Sequence, residues 1–154
     1  MNTPIYYVDA FTDSLFSGNP AAVIFSDLND ASLMQLIAAE NNLSETAFIR
    51  LENNKYFIRW FSPSCEIDLC GHATLASAFI YFNYINTKAT EFEVHSLKNG
   101  ALKVSQNADY LYLDFPKDNI QEDDEYTSSI VDVLGGIVPK EIFRGRDDLL
   151  VILD

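Results

Sequence analysis

The stretch Ala73-Thr74-Leu75-Ala76-Ser77-Ala78-Phe79-Ile80-Tyr81-Phe82 decides the fold. At helical spacing its apolar members Ala73, Leu75, Ala76, Ala78, Phe79, Ile80, Tyr81 and Phe82 cover nearly the whole circumference. A helix that is apolar all round must be wrapped by protein. The segments on either side read as strands, so the natural wrapper is a curved sheet. This predicts an α+β fold: a mostly antiparallel, barrel-like sheet closed around a central helix.

Upstream, Ile5 to Phe11 reads as a strand rich in Tyr and Val, and Phe16-Ser17-Gly18-Asn19-Pro20 is a turn signal. Ala21 to Phe25 is a second strand. Asn29 or Asp30 can cap a helix whose apolar positions Leu33, Leu36 and Ile37 share one face, fading at Asn41-Asn42. Thr46 to Leu51 and Tyr56 to Ser62 form a hairpin around Asn53-Asn54. Downstream, Glu91 to His95, Ala101 to Ser105 and Tyr110 to Phe115 are three more strands, the first two joined at Asn99-Gly100.

Beyond Pro116 the pattern changes. Residues 117–125 hold Asp118, Glu122, Asp123, Asp124 and Glu125 against Lys117, and read as a solvated acidic linker. Tyr126 to Leu134 reads as a short helix stopped by Gly135-Gly136. Leu149 to Leu153 is a strongly apolar strand close to the end, and such a strand needs partners. The expected organisation is one lobe over 1–116, the linker over 117–125, and a further segment over 126–154, which the family resemblance given below makes the start of a truncated second lobe.

Composition excludes several classes. With 154 residues, 48% hydrophobic and 21% charged, the chain can bury a useful core. A formal net charge of −13 with scattered basic residues argues against nucleic acid. The start has no basic stretch leading into an apolar run, and no segment is long and apolar enough for a membrane span, so no membrane is expected and the cytoplasm is the default location. Cys65 and Cys70 make no disulfide framework. With His72 and His95 they match no familiar zinc spacing, so no metal is expected.

Chemistry centres on two segments. Asn42-Leu43-Ser44-Glu45-Thr46-Ala47-Phe48 places Glu45 where a helix hands over to a strand. The plain reading is a solvated loop glutamate. The functional reading is a carboxylate half-buried among Leu43, Ala47 and Phe48, its pKa raised by burial and so suited to proton transfer. Cys70-Gly71-His72-Ala73-Thr74 opens the apolar helix, whose first N–H groups lack partners and carry the positive end of the dipole. Gly71 admits close approach, which makes a small anion site suited to a substrate carboxylate. Asp68 or a water filling the same donors is the plain alternative.

His72 could donate to a substrate or simply bond to nearby backbone. His95, on an alternating strand, reads as structural. Cys70 at a helix start is expected to have a depressed pKa and could serve as a thiolate base, or be a small buried hydrophobe. Asn19 could present its amide into a cleft or only shape the turn.

Together these segments resemble the phenazine-biosynthesis (PhzF-like) family, which shares its fold with diaminopimelate epimerase. The matching stretches are Val8-Asp9-Ala10-Phe11-Thr12, Phe16 to Val23, Asn42 to Phe48, Ile58-Arg59-Trp60-Phe61-Ser62-Pro63 and Asp68 to Ala76, with a weaker match at Gly145 to Val151. The resemblance implies two similar β-barrel lobes, each around a central helix, with the active site between them. It implies an isomerase with Glu45 as catalytic residue, moving a proton and double bonds on a small cyclic carboxylated substrate without a cofactor. Asn19, Gly71, His72 and Ala73 would bind that substrate, and a homodimer is expected. By the same resemblance the second lobe supplies a further acid and an anion-binding turn, so the chain would carry half a cleft. The readings kept beside this one are a non-catalytic interaction module or self-pairing half-enzyme, and a thiol-dependent racemase or epimerase using Cys70.

Overall fold

The computed structural model describes residues 2–14, 16–123, 125 and 127–154. The chain divides into two compact units, Met1–Phe115 and Pro116–Asp154. In the first, chain order runs β1 (Tyr6–Ala10), β2 (Asn19–Phe25), α1 (Ala31–Asn41), β3 (Glu45–Glu52), β4 (Lys55–Phe61), β5 (Glu66–Ile67), α2 (Gly71–Ile80), a π-helical turn (Tyr81–Ile85), β6 (Glu91–Ser96), β7 (Gly100–Asn107) and β8 (Tyr110–Asp114).

One sheet holds all eight strands, in the order β1-β2-β3-β4-β6-β7-β8, with β5 paired to β4. Neighbours are antiparallel except β2–β3 and β4–β6. Each parallel pair requires a crossover, and a helix supplies each one. The α1 crossover packs outside the sheet and the α2 crossover packs inside it. Strand alternation accounts for both. Ala21, Val23, Ala47, Ile49, Ile58 and Trp60 face the α2 side, while Ile24, Phe48 and Phe61 face Met34 and Ala38 of α1. These strands are covered on both faces and read as apolar runs. On β6 and β7 only Phe92, Val94, Leu102 and Val104 point inward, and their neighbours are solvated.

The expected wrapped helix is present, and α2 contacts β1, β2, β3 and β8. His72, Ala73, Thr74, Ala76, Ser77, Ala78 and Ile80 are all buried. Two details differ from the expectation. The sheet curls but does not close, because β1 and β8 are its unpaired edges. Phe79 is 44% exposed, so the buried arc leaves a gap on that side. The far end of the helical segment is fixed by rings: Tyr81 stacks on Phe92 at 4.2 Å, and Tyr56 meets both edge-on.

The face of α1 also differs from the expected one. Met34 and Ala38 are buried, whereas Leu33 and Leu36 are 45% and 67% exposed. Asp30 is the N-cap, accepting from the Ser32 and Leu33 N–H groups. Asn53 and Asn54 both adopt positive φ, as the tight β3–β4 turn requires.

The second unit holds β9 (Gln121–Glu122), α3 (Thr127–Val133), β10 (Glu141–Arg144) and β11 (Leu149–Ile152), with a sheet in the order β11-β10-β9. The stretch expected as a solvated linker therefore includes a strand, and its acids have partners: Asp123 pairs with Arg144, and Asp118 accepts from the Arg146 N–H. Asp124 and Tyr126 lie outside the described residues. The apolar strand near the end, β11, is paired with β10 along one edge.

Candidate active site

Glu45 opens β3, and strand periodicity decides where it points. Residues two apart share a face, so Glu45 joins Ala47 and Ile49 on the side that meets α2. Asn19 opens β2 and shares the inner face with Ala21 and Val23 by the same rule. Because β2 and β3 are parallel and Ala21 is opposite Glu45, both polar residues come to one end of the sheet. The Ser44 hydroxyl donates to Asn19 Oδ1 at 3.3 Å, tying the two strand starts together.

The first turn of α2 arrives at the same end. His72 Nε2 lies 3.1 Å from Glu45 Oε2, and their side chains are 9% and 19% exposed. On the other side of the ring, Cys70 Sγ lies 3.4 Å from His72 Nδ1. The three side chains form a compact cluster, with the thiol sulfur, an imidazole nitrogen and a carboxylate oxygen all within 4.8 Å of one another. The Nε2 contact is off the direction of a good hydrogen bond, so among the described residues this buried nitrogen has no formal partner. Burial pushes the His72 pKa below its ordinary value, against the Glu45 charge and the Pro20 backbone carbonyl, which both favour the cation.

Cys70 differs from the expected depressed thiol. It caps the start of α2, and the Ala73 and His72 N–H dipoles do favour its thiolate. Burial outweighs them, with the Glu45 charge adding to it, and the thiol is pushed up to about 11. The group holds its proton at neutral pH. Asp68, the alternative occupant of the helix-start donors, is turned elsewhere: its carboxylate accepts from Lys98 Nζ at 2.7 Å and its carbonyl from Asn99 Nδ2 at 2.8 Å. Gly71 leaves space at the helix start. A Cβ there meets Phe115 at 3.7 Å and Leu113 at 3.8 Å, ordinary contacts. Ala73 is fully buried in the core, so what it offers is its backbone N–H.

The site trio offers oxygen, sulfur and nitrogen within 4.8 Å of one another. A metal ion takes one nitrogen from an imidazole. Here the thiol faces Nδ1 and the carboxylate faces Nε2, so the two neighbours meet different nitrogens of the ring. Cys65 and His95 stand outside it. Cys65 is exposed near Ser62, and His95 sits beside Glu93 and the Phe57 ring. Two shallow depressions, one beside Arg59 and Asp68 and one beside Arg50 and Phe57, are lined by none of the trio. Sequence reasoning missed Ser44 and Pro20. Both flank residues it did single out, but the Pro20 carbonyl acts through backbone, which carries no side-chain signal. Among the described residues, no helix is long and apolar enough to cross a membrane.

Known proteins share this architecture. A protein named uncharacterized isomerase from Halalkalibacterium halodurans is 43% identical over 155 residues, covering 100% of this chain and 58% of the relative. One of the same name from Pseudomonas aeruginosa is 42% identical over 156 residues, with the same coverage of each chain. The crystal structure of a phenazine biosynthesis protein of the PhzF family from Enterococcus faecalis superposes with a TM-score of 0.80 at 42% identity, over 100% of this chain and 58% of that one. This chain thus spans a little over half the length of these relatives. The model of the phenazine biosynthesis-like family matches residues 8–133, and the chain belongs to that family.

Proposed function

We propose that this chain carries the acid–base side of a PhzF-type isomerase, in which Glu45 takes a proton from one carbon of a small cyclic carboxylated substrate and returns one at another. The observation that supports this most is the Glu45 carboxylate held 3.1 Å from His72 Nε2 at the opening of α2, partly enclosed yet with 19% of its side chain exposed. A base must reach a carbon-bound proton and be sheltered from bulk water, and this position offers both. The Gly71, His72 and Ala73 backbone N–H groups, at the positive end of α2, would hold the substrate carboxylate, with the Asn19 amide beside them. The His72 imidazole, neutral at pH 7, would donate without competing as a cation.

A thiol-dependent epimerase is the less favoured reading, because a Cys70 thiol pushed up to about 11 is protonated at neutral pH. The test is deuterium incorporation from D2O into a dihydro-hydroxyanthranilate. It is run with this chain alone and with the carboxy-terminal part of the Halalkalibacterium relative added in trans. Incorporation lost in Glu45→Gln and kept in Cys70→Ser supports the glutamate. The reverse pattern selects the thiol. Incorporation untouched by either, or absent in every combination, overturns the proposal.

A further inference from the structure

The mechanism gives Cys70 no task, yet its thiol is buried in contact with the one imidazole that faces Glu45. Sγ lies 3.4 Å from His72 Nδ1, within the reach of a sulfur hydrogen bond, and the residues are fixed two apart by the first turn of α2. A neutral imidazole has one N–H and one bare nitrogen, and its surroundings choose which is which. Here the surroundings agree. A bare Nε2 would set its lone pair against a carboxylate oxygen 3.1 Å away, which is repulsive. A hydrogen on Nδ1 would make the sulfur the acceptor, and a thiol accepts only weakly.

We propose that Cys70 is a positioning residue: its S–H donates to His72 Nδ1, keeps the ring hydrogen on Nε2, and so presents a donor to the Glu45 carboxylate. The side chain of His72 is 91% buried by the exposure above, so water does not substitute readily for the thiol. The ring N–H then stands 3.1 Å from the Glu45 carboxylate with no charge moved onto the imidazole. The direction of each pKa agrees with this neutral arrangement: the thiol is held protonated and the imidazole uncharged. The inference rests on the proposed role of Glu45 for its functional meaning, but the hydrogen positions stand or fall without any turnover.

Nitrogen-15 NMR of the histidine rings in this chain tests it, and the protein has two histidines to assign. At pH 7 the wild type is expected to show His72 Nε2 as a protonated, pyrrole-type nitrogen and Nδ1 as a pyridine-type nitrogen moved from its free position by a hydrogen bond. In Cys70→Ala, Nδ1 should move to the free pyridine-type position. In Cys70→Ser, whose hydroxyl can still donate, it should return towards the wild-type position. The His95 signals serve as the check on folding. A wild-type Nδ1 that carries the hydrogen, or an imidazolium paired with a thiolate, overturns the proposal without any variant. An Nδ1 signal identical in wild type and Cys70→Ala overturns it as well. Loss of deuterium exchange in Glu45→Gln, by contrast, bears on the isomerase reading alone.

Discussion

His72 Nε2 lies 3.1 Å from Glu45 Oε2 at the junction of the first α2 turn and the start of β3, and the carboxylate charge acts on the imidazole. Burial lowers the imidazole pKa and the glutamate charge opposes that lowering. Glu45→Gln removes the opposing charge. The His72 pKa should therefore fall further below about 6.5, its ordinary value. Proton NMR titration of the His72 ring in both proteins checks this. A His72 that titrates higher in the variant contradicts the assigned cause.

Burial of His72 makes stability fall on the acid side. An unfolded histidine takes a proton as pH drops below about 6.5, whereas folded His72 resists until lower pH. The unfolded state then binds more protons, so unfolding becomes easier as pH falls through that window. His72→Gln should flatten the decline in urea-unfolding free energy between pH 6.5 and the wild type's folded value, relative to wild type. An unchanged slope would mean that other groups carry the acid response.

Cys70 gives the opposite dependence. Its thiol is raised from 9.0 to about 11 by burial, so the unfolded chain loses a proton first as pH rises. Stability present below pH 9 is expected to be lost between pH 9 and 11, by on the order of 3 kcal/mol. Cys70→Ala should lack this alkaline loss. Alkylation follows the same logic: exposed Cys65 reacts readily near neutral pH, and buried Cys70 reacts slowly until strongly alkaline conditions. Peptide mapping after iodoacetamide treatment at pH 7 should find the label on Cys65.

The fold was legible where burial leaves a pattern, and less so where packing chooses among apolar residues. The apolar circumference of residues 73–82 announced a wrapped helix, and the parity of Glu45 with Ala47 and Ile49 aims the carboxylate at it. The two-residue strand β5 gave no pattern to read, and its place comes from pairing with β4 and the bidentate Arg59–Glu66 contact. For Cys70, position in sequence signals the helix dipole, but the larger effect is desolvation, which depends on what surrounds the thiol in three dimensions.

Two glycines should respond oppositely to alanine. Gly18 has φ +89°, and a Cβ there would come within 2.3 Å of the Ala10 carbonyl oxygen, a backbone atom that cannot step aside. Gly18→Ala should cost about 2 kcal/mol or more in chemical denaturation. Gly71 stands at the start of α2 with only ordinary contacts for a Cβ, and alanine favours a helix over glycine by up to about 1 kcal/mol. Gly71→Ala should keep or raise the melting temperature. If the helix opening binds a carboxylate, the same variant should weaken that binding while leaving the fold intact.

The α1 contact with the outer face of the sheet yields the last expectation. Leu36 is the more apolar residue by sequence and of similar size, but it is 67% exposed, whereas Met34 is 2% exposed and packs with Ile24, Phe48 and Phe61. Met34→Ala removes buried methylene and sulfur contacts and opens a cavity, which costs about 2–5 kcal/mol. Leu36→Ala removes surface already in water, and should stay within about 0.5 kcal/mol of wild type. Urea denaturation of the two variants side by side decides the matter. A larger loss for Leu36→Ala would mean that the opposite face of α1 is covered in solution by something that packs against Leu33 and Leu36.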